Sequence, residues 1–503
     1  MDHTRIKTLG QLKSSGYVSR TIGEELRHNL VRNLRNKVNV FAGIWGYEDT
    51  VIPEVERAIL AGHNMNLLGL RGQAKTRLAR MMVKLLDEWT PVISGSELNE
   101  DPLNPITNRS KESARQMGDD LPVSWLHRDD RYTEKLATPD VSVADLIGDI
   151  DPIKAASMKL SYADEQVIHF GLIPRSHRCI FVINELPDLQ ARIQVSLFNI
   201  LQEGDIQIRG FKIRLPLDIR FVFTANPEDY TNRGSIVTPL KDRIGSQIVT
   251  HYPRSLEIGM KITRQEAMVH EDQQLSIYVS PIARELIEQV AIEARQSEWV
   301  DAKSGVSARL TISAIENLLA AAERRKLING EDVAAVRVGD LNGVIPAITG
   351  KVELVYEGEQ EGPAVVARNL IGKAIRTRFK SYFPDPDRFR KSKQTSPYKE
   401  IIAWFDDGHV LDLLHDQSEK EYAAALRSVP KLEDIVRGFP HEESDVLFLM
   451  EFLLFGLAEY SLIGRQSLVA GTQFHDLVSG MFTPPGPSDL EDEESDDEPD
   501  DNR

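Results

Sequence analysis

Gly69-Leu-Arg-Gly-Gln-Ala-Lys75-Thr76 stands between a short apolar run, Asn66-Leu-Leu-Gly-Leu70, and a helical pattern over residues 77–88. That placement constrains the fold more than any other string in the chain. A glycine-rich turn from strand to helix aims backbone N–H groups at one point, and the helix N-terminus adds partial positive charge there. Strand, loop and helix in this order read as a phosphate-binding loop. Gly69, Arg71, Gly72, Gln73, Ala74, Lys75, Thr76 and Arg77 are its candidate residues. Lys75 would reach the β- and γ-phosphate oxygens of ATP, and the Thr76 hydroxyl would coordinate Mg²⁺. The pattern departs once, with Ala74 where the common form has glycine. A glycine-rich turn carrying a surface lysine is the plainer alternative.

Further strands and helices extend the pattern. Cys179-Ile-Phe-Val-Ile183 reads as a buried strand, residues 189–202 as a helix, and Ile219-Arg-Phe-Val-Phe-Thr224 as a third strand. Strands separated by helices imply a parallel sheet. Residues 205–215 alternate about Gly210 as a β-hairpin does, whereas residues 97–135, polar and proline-bearing, read as a long irregular insertion. Ser280-Pro281 opens a helix over residues 282–294, and a second helix over 311–327 stops at Asn329-Gly330.

The second strand ends in Asn184-Glu185. In phosphate-loop ATPases such a strand ends in Asp-Glu, the Asp holding Mg²⁺ and the Glu polarising the attacking water. Asn184 keeps a hydrogen-bond acceptor and loses the charge. At an effective dielectric of about 20, a unit charge about 4 Å away is worth about 4 kcal/mol. Glu185 still supplies the base, unless the pair merely caps the next helix. Asn226 follows the third strand, where it can orient water or sense the γ-phosphate. Arg243, after Asp242, and Arg309, in Gly305-Val-Ser-Ala-Arg309, are cations suited to a transferring phosphoryl group. Singly each is weak, and their order carries the reading.

This constellation resembles the AAA+ ATPases, and within them the clade of MoxR-like ATPases and the ATPase subunit of magnesium chelatase. The resemblance covers residues 41–327. MoxR-like loops accept Gly-x-Ala-Lys-Thr, which accommodates Ala74. The resemblance implies an α/β fold: an AAA+ phosphate-loop core with a parallel sheet between helices, a helical lid and a mostly helical C-terminal region. It implies Lys75 and Thr76 as the Walker A pair, Glu185 as the Walker B glutamate and Asn184 in place of its aspartate at the metal. Asn226 matches sensor 1, Arg243 the arginine finger reaching a neighbouring subunit, and Arg309 the sensor 2 arginine. Ile44, Gly46 and Tyr47 lie in the segment near the adenine. Residues 149–170 occupy the place of the helix 2 insertion, and 205–215 that of the pre-sensor 1 hairpin. ATP and Mg²⁺ are the implied cofactors. A homo-oligomeric, hexameric ring and a partner with a von Willebrand A domain are the implied assemblies.

The expected organisation is an N-terminal helical segment (1–36), the nucleotide-binding core (37–255), a helical lid (256–349), a C-terminal helical domain (350–483) and a disordered acidic tail (484–503). The single cysteine, Cys179, excludes a disulfide framework and points to a reducing compartment. Residues 1–16 lack the apolar core of a signal peptide, and no apolar run reaches a membrane span, so the expected location is the cytoplasm. The formal net charge of −17 is concentrated in the tail, where Asp489–Arg503 holds ten acids and one base. Neither the tail nor the mildly acidic body recommends nucleic acid as a partner. Residues 373–393, with eight bases and four aromatic residues, are the one basic stretch, read as an amphipathic helix and loop. Three other readings stay open: an ATP-gated scaffold that hydrolyses little because of Asn184, a true magnesium chelatase subunit, and a DNA-directed motor. The last lacks a helix-turn-helix signature.

Overall fold

Five short strands make one parallel sheet. They are β1 (Met65–Leu68), β2 (Tyr132–Leu136), β3 (Cys179–Asn184), β4 (Ile219–Ala225) and β5 (Ser246–Val249), in the order β5-β1-β4-β3-β2. The computed structural model describes residues 5–159, 165–207, 214–227, 235–391 and 395–477. Its contacts divide the chain into two units, Met1–Arg254 and Ser255–Arg503.

In the first unit, side-chain alternation along the strands sorts the core into two faces. Ile180, Val182 and Val222 pack on one face with α1 (Ile22–Arg35), α2 (Val51–Leu60) and α3 (Lys75–Met81). Phe181, Ile183, Phe221 and Phe223 pack on the other with Ile193, Leu197 and Leu240. Strands covered on both faces show no polar alternation, which is why β3 and β4 are legible as apolar runs. All five strands are parallel, so their carboxyl ends share one edge, the edge where open α/β sheets place ligands.

Sequence and structure differ at several places. Residues 97–135 are not irregular: they contain a helix, Asn108–Met117, a strand Val123–His127 paired antiparallel with Trp89–Ile93, and most of β2. β2 reads Tyr-Thr-Glu-Lys-Leu because it lies at the sheet edge with its side chains half-exposed, so no apolar run betrays it. The helix expected over 77–88 ends at Met81 and tightens into a 3₁₀ turn, Met82–Leu85. The helix expected over 189–202 breaks at Leu197 into Ala191–Ser196 and Phe198–Glu203. The 205–215 hairpin is present at its base, where Asp205–Gln207 pairs with Arg214–Pro216. Its tip, and residues 160–164 of the 149–170 segment, lie outside the described residues. The rest of that segment pairs Gly148–Ile150 with Ile168–Phe170.

α1 is capped by reciprocal Thr21–Glu24 bonds. Its Glu25 carboxylate meets the Arg131 guanidinium in a two-pronged pair, 2.7 and 2.6 Å, with Arg131 fully buried. Cys179 is buried nearby, and burial pushes its thiol up to about 11, so it is no nucleophile at neutral pH.

The second unit is built on one apolar core running from Ile277 to Phe474. After α4 (Thr238–Arg243) in the first unit come α5 (Pro281–Gln296), capped by Ser280, and α6 (Arg309–Asn329), closed by Gly330 at φ +66°. α7 (Pro363–Tyr382) and α8 (Val446–Glu459) complete the main helices. The C-terminal region is mostly helical, yet it also holds a small antiparallel sheet, with β6 (Leu411–Leu414) and β7 (Gly464–Leu468) flanking β8 (Gly471–His475). α8 is apolar all round because it is buried. Its one internal acid, Glu451, accepts bonds from the backbone of Val338 (2.5 Å) and Gly339 (3.0 Å) and from the Tyr422 hydroxyl (2.8 Å). Among the described residues no helix is long and apolar enough to cross a membrane.

The basic stretch is engaged within its own unit. Lys373 lies 5.2 Å over Trp299, Arg376 lies 4.6 Å over Tyr460, Arg378 pairs with Glu285 and Lys380 with Asp385. Lys393 and the acidic tail lie outside the described residues.

Candidate active site

β1 delivers the chain into the loop 69–74, and α3 begins at Lys75. Thr250 anchors the loop, donating its backbone N–H to the Leu68 carbonyl (2.8 Å) and its hydroxyl to Gln73 Oε1 (2.6 Å). A β-carbon at Gly69 would strike both the Thr250 and Gln73 side chains, so glycine is required there. Gly72 has φ +72°, and Ala74, the residue before the helix, sits in the left-handed region at φ 55°, ψ 21°. That conformation costs an L-residue about 1–2 kcal/mol. Ala74→Gly removes the strain and loosens the unfolded chain, which costs about 0.4–1 kcal/mol, so it should stabilise by up to about 1.6 kcal/mol. Urea unfolding of the full chain checks this, and a lowered midpoint would count against the strain.

Lys75 Nζ is turned back on its own loop, donating to the carbonyls of Gly69 and Leu70 (2.9 Å) and to Asn226 Oδ1 (2.7 Å). Asn226 is buried just beyond β4. Thr76 donates its hydroxyl to Asn184 Oδ1 at 3.3 Å, and Thr224 donates to the same oxygen at 3.0 Å. Thr224 Oγ1 in turn accepts the Glu185 N–H (3.1 Å). Glu185 follows β3 directly, in the left-handed region at φ 56°, ψ 49°. A non-glycine residue held there at a strand end is the kind of local strain that functional sites retain. One network therefore joins Lys75 to Asn226 and another joins Thr76, Asn184, Thr224 and Glu185, both at the carboxyl edge of the sheet.

The segment expected near the adenine reaches this loop through Tyr47. Its hydroxyl, shared between two carbonyls, lies 3.0 Å from Gln73 O and 2.8 Å from His251 O. Burial pushes the Tyr47 phenol up to about 12, so it stays a donor. Ile44 is buried beside it, and Gly46 turns the chain at φ +81°. Arg71 and Arg77 are exposed, and the Arg71 carbonyl accepts from Tyr252 (3.1 Å).

The two arginines are placed differently. Arg243, at the end of α4, is folded on its own chain: its guanidinium lies 5.0 Å over Phe198 and donates to Gln202 Oε1 (2.7 and 3.0 Å) and the Pro239 carbonyl (2.7 Å). Arg309 belongs to the second unit, at the first position of α6 and exposed.

Sequence reasoning missed Glu134 on β2. Its Oε1 accepts from Asn184 Nδ2 at 2.6 Å. Its Oε2 accepts from Arg80 Nε (3.0 Å), Arg80 Nη2 (2.9 Å) and the Tyr132 hydroxyl (3.0 Å). Parallel pairing of β2 with β3, Leu136 opposite Asn184, brings it there. A periodicity signal for β2 would have been needed to find it, and an edge strand gives none.

The donor set fits a hard cation carried in by a nucleotide. Among the described residues no three His, Cys, Asp or Glu side chains cluster as a metal cage. Mg²⁺ prefers few protein ligands, retained waters and phosphate oxygens. A threonine hydroxyl, an amide oxygen and a nearby carboxylate supply that.

Residues 123–244 match the family model described as an AAA domain of the dynein-related subfamily. The match begins downstream of the phosphate loop, which stands on its own geometry. Among solved structures the chain is similar to a candidate ATPase of Cytophaga hutchinsonii at 16% identity, with 73% of this chain and 98% of that one covered and a TM-score of 0.30. It is also similar to a complex of the BchI and BchD subunits of magnesium chelatase, at 19% identity, 63% and 97% coverage and a TM-score of 0.34. NtrX from Brucella abortus aligns at 14% identity, 72% and 70% coverage and a TM-score of 0.36. Scores this low add no weight to the domain match. The β5-β1-β4-β3-β2 parallel sheet, the phosphate loop after β1 and the match over residues 123–244, which carry β2, β3 and β4, place an AAA domain in the first unit.

Proposed function

We propose that this chain is a magnesium-dependent AAA+ ATPase, belongs with the MoxR-like and magnesium chelatase proteins, and works as a homo-oligomeric ring that remodels a protein partner. The observation that most supports the reading is the convergence of Lys75, Thr76, Asn184, Glu185 and Asn226 at the carboxyl ends of β1, β3 and β4. Thr76 and Asn184 would hold Mg²⁺, which when bound neutralises charge on the β- and γ-phosphates. Lys75 exchanges its carbonyl and Asn226 acceptors for phosphate oxygens. Asn226, released from Lys75, orients the attacking water, and Glu185 takes its proton. Arg309 acts as sensor 2 from the lid.

Arg243 acts in trans. To reach a neighbour's nucleotide it must leave Phe198, Gln202 and Pro239, contacts that are half-exposed and so inexpensive to break. A hexameric ring, a von Willebrand A-domain partner docking on the acidic tail, and a cytoplasmic location complete the reading, with residues 256–349 as lid and 350–483 as a C-terminal helical domain.

The test is Mg²⁺-dependent ATP turnover per chain across protein concentration. An arginine finger supplied in trans is worth about 10³–10⁵ in rate, so the rate per chain should climb steeply through assembly. A rate that stays flat across the assembly transition would sink the ring. The neutral Asn184 favours a second reading, an ATP-gated scaffold, and ATP binding without turnover at any concentration would select it.

A further inference from the structure

The magnesium site proposed above carries an amide where a charge is expected, yet a carboxylate touches that amide. Glu134 Oε1 lies 2.6 Å from Asn184 Nδ2. A carboxylate only accepts hydrogen bonds, so it fixes which end of the amide is nitrogen. Asn184 Oδ1 is thereby turned to the Thr76 and Thr224 hydroxyls, 3.3 and 3.0 Å away. The amide is thus oriented by one anion on its far side, with its acceptor facing the first turn of α3. A hydrogen bond donated to a carboxylate polarises the amide, placing more negative charge on Oδ1.

We propose that Glu134 is the positioning residue that restores, one strand over, the negative charge absent at residue 184, so that the magnesium site of this ATPase consists of Thr76 and Asn184 backed by Glu134. Arg80, on α3, donates to the other carboxylate oxygen and offsets part of its charge, leaving Oε1 on the amide. Tyr132 secures the same oxygen. The arrangement explains how Asn184 persists in a chain that keeps Glu185: the charge has moved from the strand end to its neighbour. It also reverses the simple expectation for Asn184→Asp. With Glu134 in place, an aspartate at 184 would set an acceptor against an acceptor across what is now a 2.6 Å contact, and the two carboxylates would repel and part.

The inference rests on the magnesium reading above, and its test separates the two. A fluorescent ATP analogue is titrated into the full-length chain with Mg²⁺ and with EDTA, and the ratio of the two dissociation constants is the magnesium gain. Wild type should show a clear gain, and Glu134→Gln should cut it by about tenfold while affinity in EDTA holds within about threefold. Asn184→Asp alone should not raise it. The double variant Glu134→Gln/Asn184→Asp should return it to within about threefold of wild type, because a single carboxylate is again present. A merely structural Glu134 would not be rescued that way. No gain in wild type would overturn the magnesium reading and this inference with it. A wild-type gain left intact by Glu134→Gln, or lost and not rescued by Asn184→Asp, would overturn the inference alone. Should Glu134→Gln fail to fold, Arg80→Gln serves instead. It frees the carboxylate of its counter-ion and should hold or raise the gain, and a fall would overturn the proposal.

Discussion

Glu185→Gln is expected to lower ATP turnover by about 10²–10⁴-fold while leaving the dissociation constant for ATP within about threefold of wild type. Glutamine has nearly the same shape and cannot take the proton of an attacking water. The substitution should leave the surroundings in place, because the Glu185 backbone is held by its own N–H on Thr224 Oγ1 at 3.1 Å. The left-handed backbone at φ 56° tolerates glutamine no worse than glutamate. Phosphate release at saturating ATP, together with equilibrium binding of the same protein, separates the two effects. Retained turnover would remove Glu185 from the chemistry, and lost binding would make it a structural residue.

Arg131→Met is expected to destabilise the first unit by about 3–5 kcal/mol, the largest stability effect the structure predicts. Arg131 is fully buried, its two terminal nitrogens meet both oxygens of Glu25, and its Nε donates to the Arg178 carbonyl at 2.9 Å. Removing the cation leaves the Glu25 carboxylate buried, with the Asp87 N–H (2.6 Å) as its remaining donor among these contacts. Glu25 lies on α1, so the damage should begin where that helix meets the sheet. The double variant Glu25→Leu/Arg131→Met removes both charges and should cost much less than Arg131→Met alone, since two apolar side chains can occupy a site that one stranded ion cannot. Equilibrium unfolding in guanidinium measures both. A cost below about 1 kcal/mol for the single variant would show that water or another cation reaches Glu25.

Much of the site is legible in the sequence because its signals are local. The phosphate loop needs only an apolar run, a glycine-rich turn and a helix start, all within residues 66–88. β3 and β4 are covered on both faces, so each carries a mainly apolar run that ends at or just before a candidate residue, Asn184 or Asn226. Helix limits in the second unit are equally local, with Ser280-Pro281 at one start and Asn329-Gly330 at one end. The small sheet of β6, β7 and β8 is not legible, because strands of four or five residues between helices give too short a pattern to separate from loop.

The order of chemistry-bearing residues along the chain can be read without coordinates, since each announces itself at the end of a strand or the start of a helix. The partner of Asn184 cannot: it follows from the fold alone. The carboxylate that holds it lies 50 residues earlier, on an edge strand whose half-exposed side chains leave no apolar period. Parallel pairing brings the two together through the burial of whole sheet faces, and that register is set by packing across the sheet rather than by any neighbouring residue.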